Sequence, residues 1–134
     1  MAHVLYRKFW LALFLFAAQI SFCQNQIVDS LEKLLPKLKE DTNKALTLNR
    51  LSENLLITNQ PQKAMDFANQ SIRISHSLHF TRVEASAYEN RGYAYLWLGD
   101  TTQAEKDFLL ALQMRKEIGD KKGIARTYIS LKDL

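Results

Sequence analysis

The stretch ASAYENRGYAYLWLGDTTQAEKDFLLALQMRKEIGDKKG, residues 85–123, decides the fold of this chain. It contains two long segments of helical character, and each ends at a Gly-Asp pair, Gly99-Asp100 and Gly119-Asp120. Glycine commonly ends a helix, and aspartate commonly caps the helix that follows. The stretch therefore predicts one helix ending near Leu98 and a second ending near Ile118, which together form an antiparallel hairpin.

Small and aromatic residues are placed along this hairpin for close helix crossing. Gly92 lies on the first helix and Ala104 on the second, and aromatic residues lie near both in the sequence. Small residues let two helix backbones approach, and neighbouring rings fill the space beside the crossing. The combined pattern resembles the tetratricopeptide (TPR) repeat, although Arg91 stands where the family has leucine. It reads Tyr88-x2-Arg91-Gly92-x2-Tyr95, then Ala104-x3-Phe108-x2-Ala111.

A single hairpin of this kind cannot bury its apolar faces alone, so further copies are expected. Positions 40 residues apart correspond along the chain: Ala64 matches Ala104, and Leu48 matches Tyr88 and then Tyr128. The sequence thus predicts an all-α, antiparallel helix-hairpin solenoid of about two and a half TPR-like repeats, resembling the longer, 40-residue type. We assign residues 42–80 to a degenerate repeat, 81–120 to a second repeat, and 121–134 to the first helix of an incomplete third.

The helix starts carry capping signals. Thr81 and Glu84 have the spacing of a capping box, which predicts that Thr81 caps a helix while Glu84 reaches back to it. Asp100 and Asp120 are the predicted caps of the next two helices. Pro61 is expected just inside a helix start, where its missing N–H costs nothing.

Residues 1–23 have the features of a secretory signal peptide. Arg7-Lys8 precedes an uninterrupted apolar run from Phe9 to Ala18, and Ser21 and Cys23 place small residues before a cleavage point. This pattern predicts an exported chain, periplasmic or secreted. Two alternatives are an uncleaved segment that anchors the chain in a membrane, and a lipid attached to Cys23.

Residues 24–41 are expected to form a leading amphipathic helix that covers the open end of the first repeat. Pro36 lies within it and is expected to kink or split it. The apolar positions assigned to its one face are Ile27, Leu31, Leu34, Leu35 and Leu38.

Composition argues against several function classes. The net charge is +4 and falls further if residues 1–23 are removed, so no nucleic-acid partner is expected. The single cysteine cannot form an intramolecular disulfide. His76 and His79 could share a helix face, but no third ligand has matching spacing. Because no catalytic set or phosphate-binding loop is recognisable, neither an enzyme, a metal site nor a cofactor is expected.

The TPR resemblance implies a concave groove, lined by the first helix of each repeat, in which the family holds peptides. The partner implied is therefore a protein or a peptide. Tyr93 and Trp97, four residues apart, are interpreted as exposed aromatic anchors; the alternative is that they pack between neighbouring first helices. The residues assigned to the groove are Asn49, Glu53, Glu89, Tyr93, Trp97 and Arg126.

The predicted function is non-catalytic protein or peptide binding outside the cytoplasm. The signal peptide, the short leading helix and the long repeats resemble the exported N-terminal sensory regions of bacterial histidine kinases and related signalling proteins. In that case this chain is part of a longer protein. The alternative is a stand-alone exported structural protein that forms homo-oligomers through the uncovered Tyr128 and Leu131 of its incomplete third repeat.

Overall fold

The structure is a computed structural model that describes residues 2–134, including the side chains of residues 6–19 and 22–134. A short 3-10 turn (Leu35–Lys37) separates the first two helices. The helices are α1 (Ala2–Leu34), α2 (Thr42–Ile57), α3 (Pro61–Ser77), α4 (Thr81–Trp97), α5 (Thr101–Glu117) and α6 (Lys121–Lys132). Residues 2–134 contain no β-strand.

Successive helices pack as antiparallel hairpins. α2 pairs with α3 and α4 pairs with α5, while α3 also packs on α4 and α5 on α6. The first helices of the pairs lie side by side, because α4 contacts both α2 and α6 directly. The predicted all-α helix-hairpin solenoid is confirmed.

The turns after α2, α3, α4 and α5 share one backbone geometry. After α4, for example, the N–H of Gly99 donates to Leu96 O at 3.1 Å and the N–H of Asp100 donates to Tyr95 O at 2.9 Å. These two bonds define a Schellman motif, which requires a left-handed residue just after the helix. That residue is Asn59 (φ 58°), His79 (φ 53°), Gly99 (φ 85°) or Gly119 (φ 65°).

The aspartate caps predicted from the sequence are confirmed. The Asp100 carboxylate accepts the backbone N–H of Gln103 at 3.0 Å. Asp120 accepts the backbone N–H of Gly123 at 3.1 Å. Pro61 lies in the first turn of α3, as its missing N–H allows.

The predicted capping box at the start of α4 is wrong. Phe80, not Thr81, is the N-cap residue, and no side chain caps the helix. The Glu84 carboxylate instead contacts His76 Nδ1 at 2.8 Å. The end of α3 lies beside the start of α4, so a tertiary partner replaces the local one.

α1 is a continuous helix that crosses residue 23, the predicted end of the signal peptide, without a break. Val28 and Leu31 of its C-terminal part, with Leu35 of the 3-10 turn that follows, pack on the core of the first repeat. Two residues assigned to its apolar face, Ile27 and Leu34, are 42% and 41% exposed. The residues in contact with the core begin at Val28 and recur at i+3 and i+7. The face that packs on the core is therefore rotated relative to the predicted face, since it includes Val28 and excludes Ile27 and Leu34. Pro36 lies in the 3-10 turn that ends α1.

The segment Tyr6–Lys37 is long and apolar enough to cross a membrane, judged by length and composition. Its large apolar side chains between Phe9 and Phe16 are all more than half exposed. Signal sequences and membrane anchors share these properties. Cleavage after residue 23 and anchoring therefore both stay predictions.

α4 and α5 cross closely at Gly92. A Cβ atom at this position would lie 2.5 Å from Cε1 of Phe108, whose side chain is fully buried. Ala104 and Ala111, on the same stripe of α5, are also fully buried. The small residues and the ring thus pack together as the sequence pattern predicts, and this crossing fixes α4 relative to its partner helix.

Candidate functional site

The residues assigned to a partner groove line one open groove in the structure. Its volume is about 390 Å³, and it lies along α2 and α4 and reaches α6. All six assigned residues line it: Asn49, Glu53, Glu89, Tyr93, Trp97 and Arg126. Four more complete it: Leu56, Ile57, Ser86 and Asn90. Three helices therefore bring the assigned side chains together, and their role in binding stays a prediction.

Helical spacing explains how these side chains meet. Residues four apart share a face of a helix. α4 therefore presents a row made of Glu89, Tyr93 and Trp97. α2 presents the corresponding row, 40 residues earlier, made of Asn49, Glu53 and Ile57. The groove consequently has a polar end near Ser86 and Arg126 and an apolar end near Ile57 and Trp97.

The two aromatic residues differ in their environment. Trp97 is 50% exposed at the apolar end of the groove, next to Ile57, which is 56% exposed. Tyr93 is partly buried: its ring packs edge-on against Phe108 with centroids 5.1 Å apart, and its hydroxyl lies 2.8 Å from Ser130 Oγ. Trp97 thus has the exposure of an anchor, whereas Tyr93 also packs between helices.

A pair of asparagines lies in the middle of the groove. Asn90 Nδ2 donates to Asn49 Oδ1 at 2.9 Å and to Asn49 O at 3.1 Å. Among the residues that the structure describes, Asn90 Oδ1 and Asn49 Nδ2 have no hydrogen-bond partner. This leaves one carbonyl oxygen that can accept and one NH2 group that can donate, which is the complement of a peptide group.

A buried ion cluster lies beneath the polar end. The Glu89 carboxylate, 4% exposed, accepts two hydrogen bonds of 3.0 Å from Arg115, which is 1% exposed. Arg126 Nε approaches the same carboxylate at 2.9 Å. Two guanidinium groups thus share one carboxylate, which gives this end a surplus positive charge.

The other groove carboxylate is exposed. Glu53 lies one turn from Ile57 on α2 and forms no ion pair within the described part of the chain. The middle of the groove is therefore negative, and its polar end is positive.

Arg115 was not among the predicted site residues, although the sequence carried a signal for it. It follows Ala104, Phe108 and Ala111 at helical spacing, on the stripe of α5 that faces the core. A charged residue on such a stripe needs a buried partner, because an unpaired buried charge is costly. The sequence alone could not identify this partner, because Glu89 lies on another helix.

The residues assigned to self-association lie outside the groove, on α6. Tyr128 is 52% exposed, and Lys116 Nζ lies 5.7 Å from the centroid of its ring. Leu131 is partly buried and lines a shallow hollow with Leu134 and Thr101.

The two histidines considered as metal ligands, His76 and His79, have different roles in the structure. His76 contacts Glu84, while His79 occupies the left-handed position of the turn after α3. Among the described side chains, those of residues 6–19 and 22–134, no three from His, Cys, Asp or Glu are grouped to hold a metal ion.

Comparison with known proteins gave one match. The family model described as tetratricopeptide repeat matches residues 85–118, which comprise most of α4 and all of α5. Neither the search of curated proteins nor the search of solved structures gave a match. The match coincides with the hairpin whose sequence pattern resembles the family, and it shows that α4 and α5 are similar to a tetratricopeptide repeat.

Proposed function

We propose that this chain is a non-catalytic scaffold that binds a peptide segment of a partner protein in the groove along α2 and α4. The observation that carries the proposal is the convergence of exposed Trp97 and Ile57 with a free amide donor and acceptor in one open groove. Aromatic anchors supply much of the binding energy in protein interfaces, and amides orient a peptide backbone. The tetratricopeptide match supports the same role.

The groove length suggests how much peptide it holds. Ser86 and Trp97 mark its two ends and lie eleven residues apart on α4, which corresponds to about 16 Å at the helical rise. An extended chain covers about 3.3 Å per residue, so a peptide aligned with α4 would place about five residues in the groove.

The charges of the groove suggest the side chains of that peptide. An apolar side chain would occupy the end near Trp97 and Ile57. A basic side chain beside it would meet Glu53, which has no other ionic partner in the described chain. The proposed ligand is therefore a short extended segment that carries adjacent apolar and basic residues.

A display library of random seven-residue peptides, selected on the full chain, tests this proposal. We expect enriched sequences with neighbouring apolar and basic residues, and we expect Trp97→Ala to weaken their binding at least about tenfold, as at interface hot spots. Leu109→Ala is the matched control, since Leu109 is 49% exposed on α5 outside the groove. Failure to enrich any peptide, or equal effects of the two variants, would contradict the proposal.

We further propose that the scaffold is exported and serves a sensory or interaction role in a bacterial signalling protein of the 40-residue TPR type. The support is the signal-peptide pattern of residues 1–23 and the resemblance to exported sensory regions. Cell fractionation, followed by sequencing the N-terminus of the chain in each fraction, tests the export step. A mature chain beginning at Gln24 agrees with cleavage, a membrane-bound intact chain with anchoring, and an intact cytoplasmic chain contradicts both.

A second candidate function is structural self-association. It is favoured by the exposure of Tyr128 (52%) on α6 and of Leu134 (42%) just after this helix. In the preceding repeat the equivalent position, Tyr88, is partly covered, because α5 packs on α4. A second copy of the chain could cover Tyr128 in the same way.

A further inference from the structure

α6 differs from the other repeat helices in what it buries. Its buried residues are Gly123, Thr127 and Ser130, all small and none of them an apolar core side chain. By contrast, α4 buries Val83 and several alanines, and α5 buries Phe108 and Leu112. Of its larger apolar residues, Tyr128 and Ile129 are more than half exposed, whereas Ile124 and Leu131 are partly buried. The hydrophobic effect therefore holds α6 through two partly buried side chains and through no fully buried one.

Polar contacts to the buried ion cluster also hold α6. Arg115 Nη1 donates to Gly123 O at 2.8 Å and also to the hydroxyl of Thr127. The hydroxyl of Ser130 donates to Glu89 Oε1 at 3.2 Å. Arg126 adds its ion pair with Glu89. Every one of these contacts ends on Arg115 or Glu89.

The path of the Arg115 side chain shows how closely the two helices approach. A Cβ atom at position 123 would lie 2.7 Å from Arg115 Cδ and 2.8 Å from its Nε. The buried guanidinium thus lies directly against the backbone of α6. Arg115 Nε has no hydrogen-bond partner within the described residues.

This arrangement makes the docking of α6 only weakly favourable. Burying charged groups carries a desolvation penalty that can match the attraction between them. When α6 leaves, water reaches Arg115 and Glu89 while their own ion pair, between α5 and α4, remains intact. Undocking therefore exposes little apolar surface and releases part of the desolvation penalty.

We propose that α6 docks and undocks as a unit while α2 to α5 stay folded, and that its docking closes one wall of the groove. α6 brings Arg126 to the polar end and Ser130 to the hydroxyl of Tyr93. A peptide that contacts these groups binds the docked state preferentially, so binding and docking stabilise each other. This coupling rests on the proposed peptide-binding function, whereas the undocking itself does not.

Hydrogen exchange of the backbone amides of the full chain tests the undocking. We expect amides from Ile124 to Leu131 to exchange at one common rate, at least about 100-fold faster than those at the centres of α4 and α5. Rates that rise gradually toward the end of α6 would indicate fraying and would overturn the proposal. Exchange rates in α6 equal to those of α4 and α5 would also overturn the proposal.

Two substitutions locate the cause. Glu89→Gln removes the charge that Arg115 and Arg126 share, and it should speed exchange across α6 at least about tenfold. Glu53→Gln is the matched control, because Glu53 lies in the same groove without contacting α6, and it should leave that exchange unchanged. If Glu89→Gln fails to fold, Thr127→Val removes only the hydroxyl that accepts from Arg115 and donates to Gly123 O, and it should still speed the exchange of α6. Unchanged exchange in the variants would overturn the proposal.

The coupling between peptide binding and the docking of α6 is tested by a separate measurement. A peptide selected on the groove should slow the exchange of α6 in proportion to its occupancy. If the peptide binds and α6 exchange does not change, the coupling is wrong while the proposed function stands. If α6 undocks as a unit but no peptide is found, the proposed function fails while the undocking stands.

Discussion

Gly92 lies against the fully buried ring of Phe108, at the point where α4 crosses α5. The ring occupies the space that any larger residue at position 92 would need. It is itself held by the edge-on contact with Tyr93. One glycine therefore sets both the spacing of the hairpin and the position of a groove residue.

Replacing Gly92 with alanine should lower the free energy of unfolding. Overpacking a well-packed core costs about 1–3 kcal/mol, and the better helix propensity of alanine offsets about 1 kcal/mol of that cost. Urea denaturation of the full chain measures the difference. In a Phe108→Leu background the smaller side chain leaves room for the methyl group, so Gly92→Ala should cost less. An equal cost in both backgrounds would contradict this packing explanation.

Arg91 shows how a departure from the family pattern is accommodated. Its guanidinium makes two hydrogen bonds to Asp107, at 2.7 and 2.8 Å, and lies 5.0 Å from the centroid of the Tyr88 ring. The hydrogen bond to Asp107 raises the pKa of Arg91 above its ordinary value. Burial raises the pKa of the Tyr88 hydroxyl. An ion pair beside an aromatic ring thus occupies the place of an apolar contact between α4 and α5.

At the scale of the elements, the turns are the most regular feature. The same Schellman geometry ends four successive helices, whether the left-handed residue is glycine, asparagine or histidine. The caps are less regular, since only α2, α5 and α6 are capped by an aspartate side chain. The four similar turns therefore give the hairpins a common geometry, whereas side-chain capping differs from one helix to the next.

The cap of α6 predicts a pH dependence of stability. The N–H of Gly123, followed by the nearby Arg82 and Arg115, lowers the pKa of Asp120 below its ordinary value of 3.8. A lowered pKa in the folded state stabilises the protein above the unfolded pKa, and this contribution is lost as the pH falls through the folded value. The loss should therefore occur below about pH 4.

Asp120→Asn isolates this effect, because asparagine also caps helices but does not titrate. The stability advantage of the wild type over this variant should shrink as the pH is lowered from 7 toward about 2. Asp120→Ala should instead cost about 1 kcal/mol at pH 7 through loss of the cap. Thermal unfolding followed by circular dichroism measures all three proteins. A difference between wild type and Asp120→Asn that is independent of pH would contradict the assignment.

At the scale of the whole molecule, the two proposed binding surfaces are the groove and the outer side of α6. They differ in chemistry. The groove combines an apolar end with amides and opposite charges, whereas the outer side of α6 presents the exposed ring of Tyr128. We have proposed a short extended peptide for the first and a second copy of the chain for the second.

If the outer side of α6 mediates self-association, the mass of the full chain should rise with concentration. Tyr128→Glu should then weaken association at least about tenfold, because a carboxylate would be buried at the contact. Light scattering over a concentration series measures this. Leu109→Glu is the control for adding charge to an exposed apolar position on α5. Association that Tyr128→Glu does not weaken would exclude this surface.

The sequence by itself determined helices α2 to α6, the glycine turns after α4 and α5, and six of the ten residues that line the groove. Helical spacing, glycine after a helix and aspartate before one act within a few residues, so they can be recognised without the fold. The 40-residue correspondence then placed Glu53 beside Tyr93 and aligned the rows that form the groove.

Only the tertiary structure decided the partners of charged residues and the register of α1. Glu84 bonds to His76 instead of capping its helix, Val28 rather than Ile27 faces the core, and Arg115 meets Glu89 beneath the groove. The buried face of α1 depends on which of its side chains meet the core of the first repeat. The partner of each charged residue depends on which side chain from another helix comes within about 3 Å, the range of a hydrogen bond. Local spacing cannot fix that distance, because it is set by the packing of the whole solenoid.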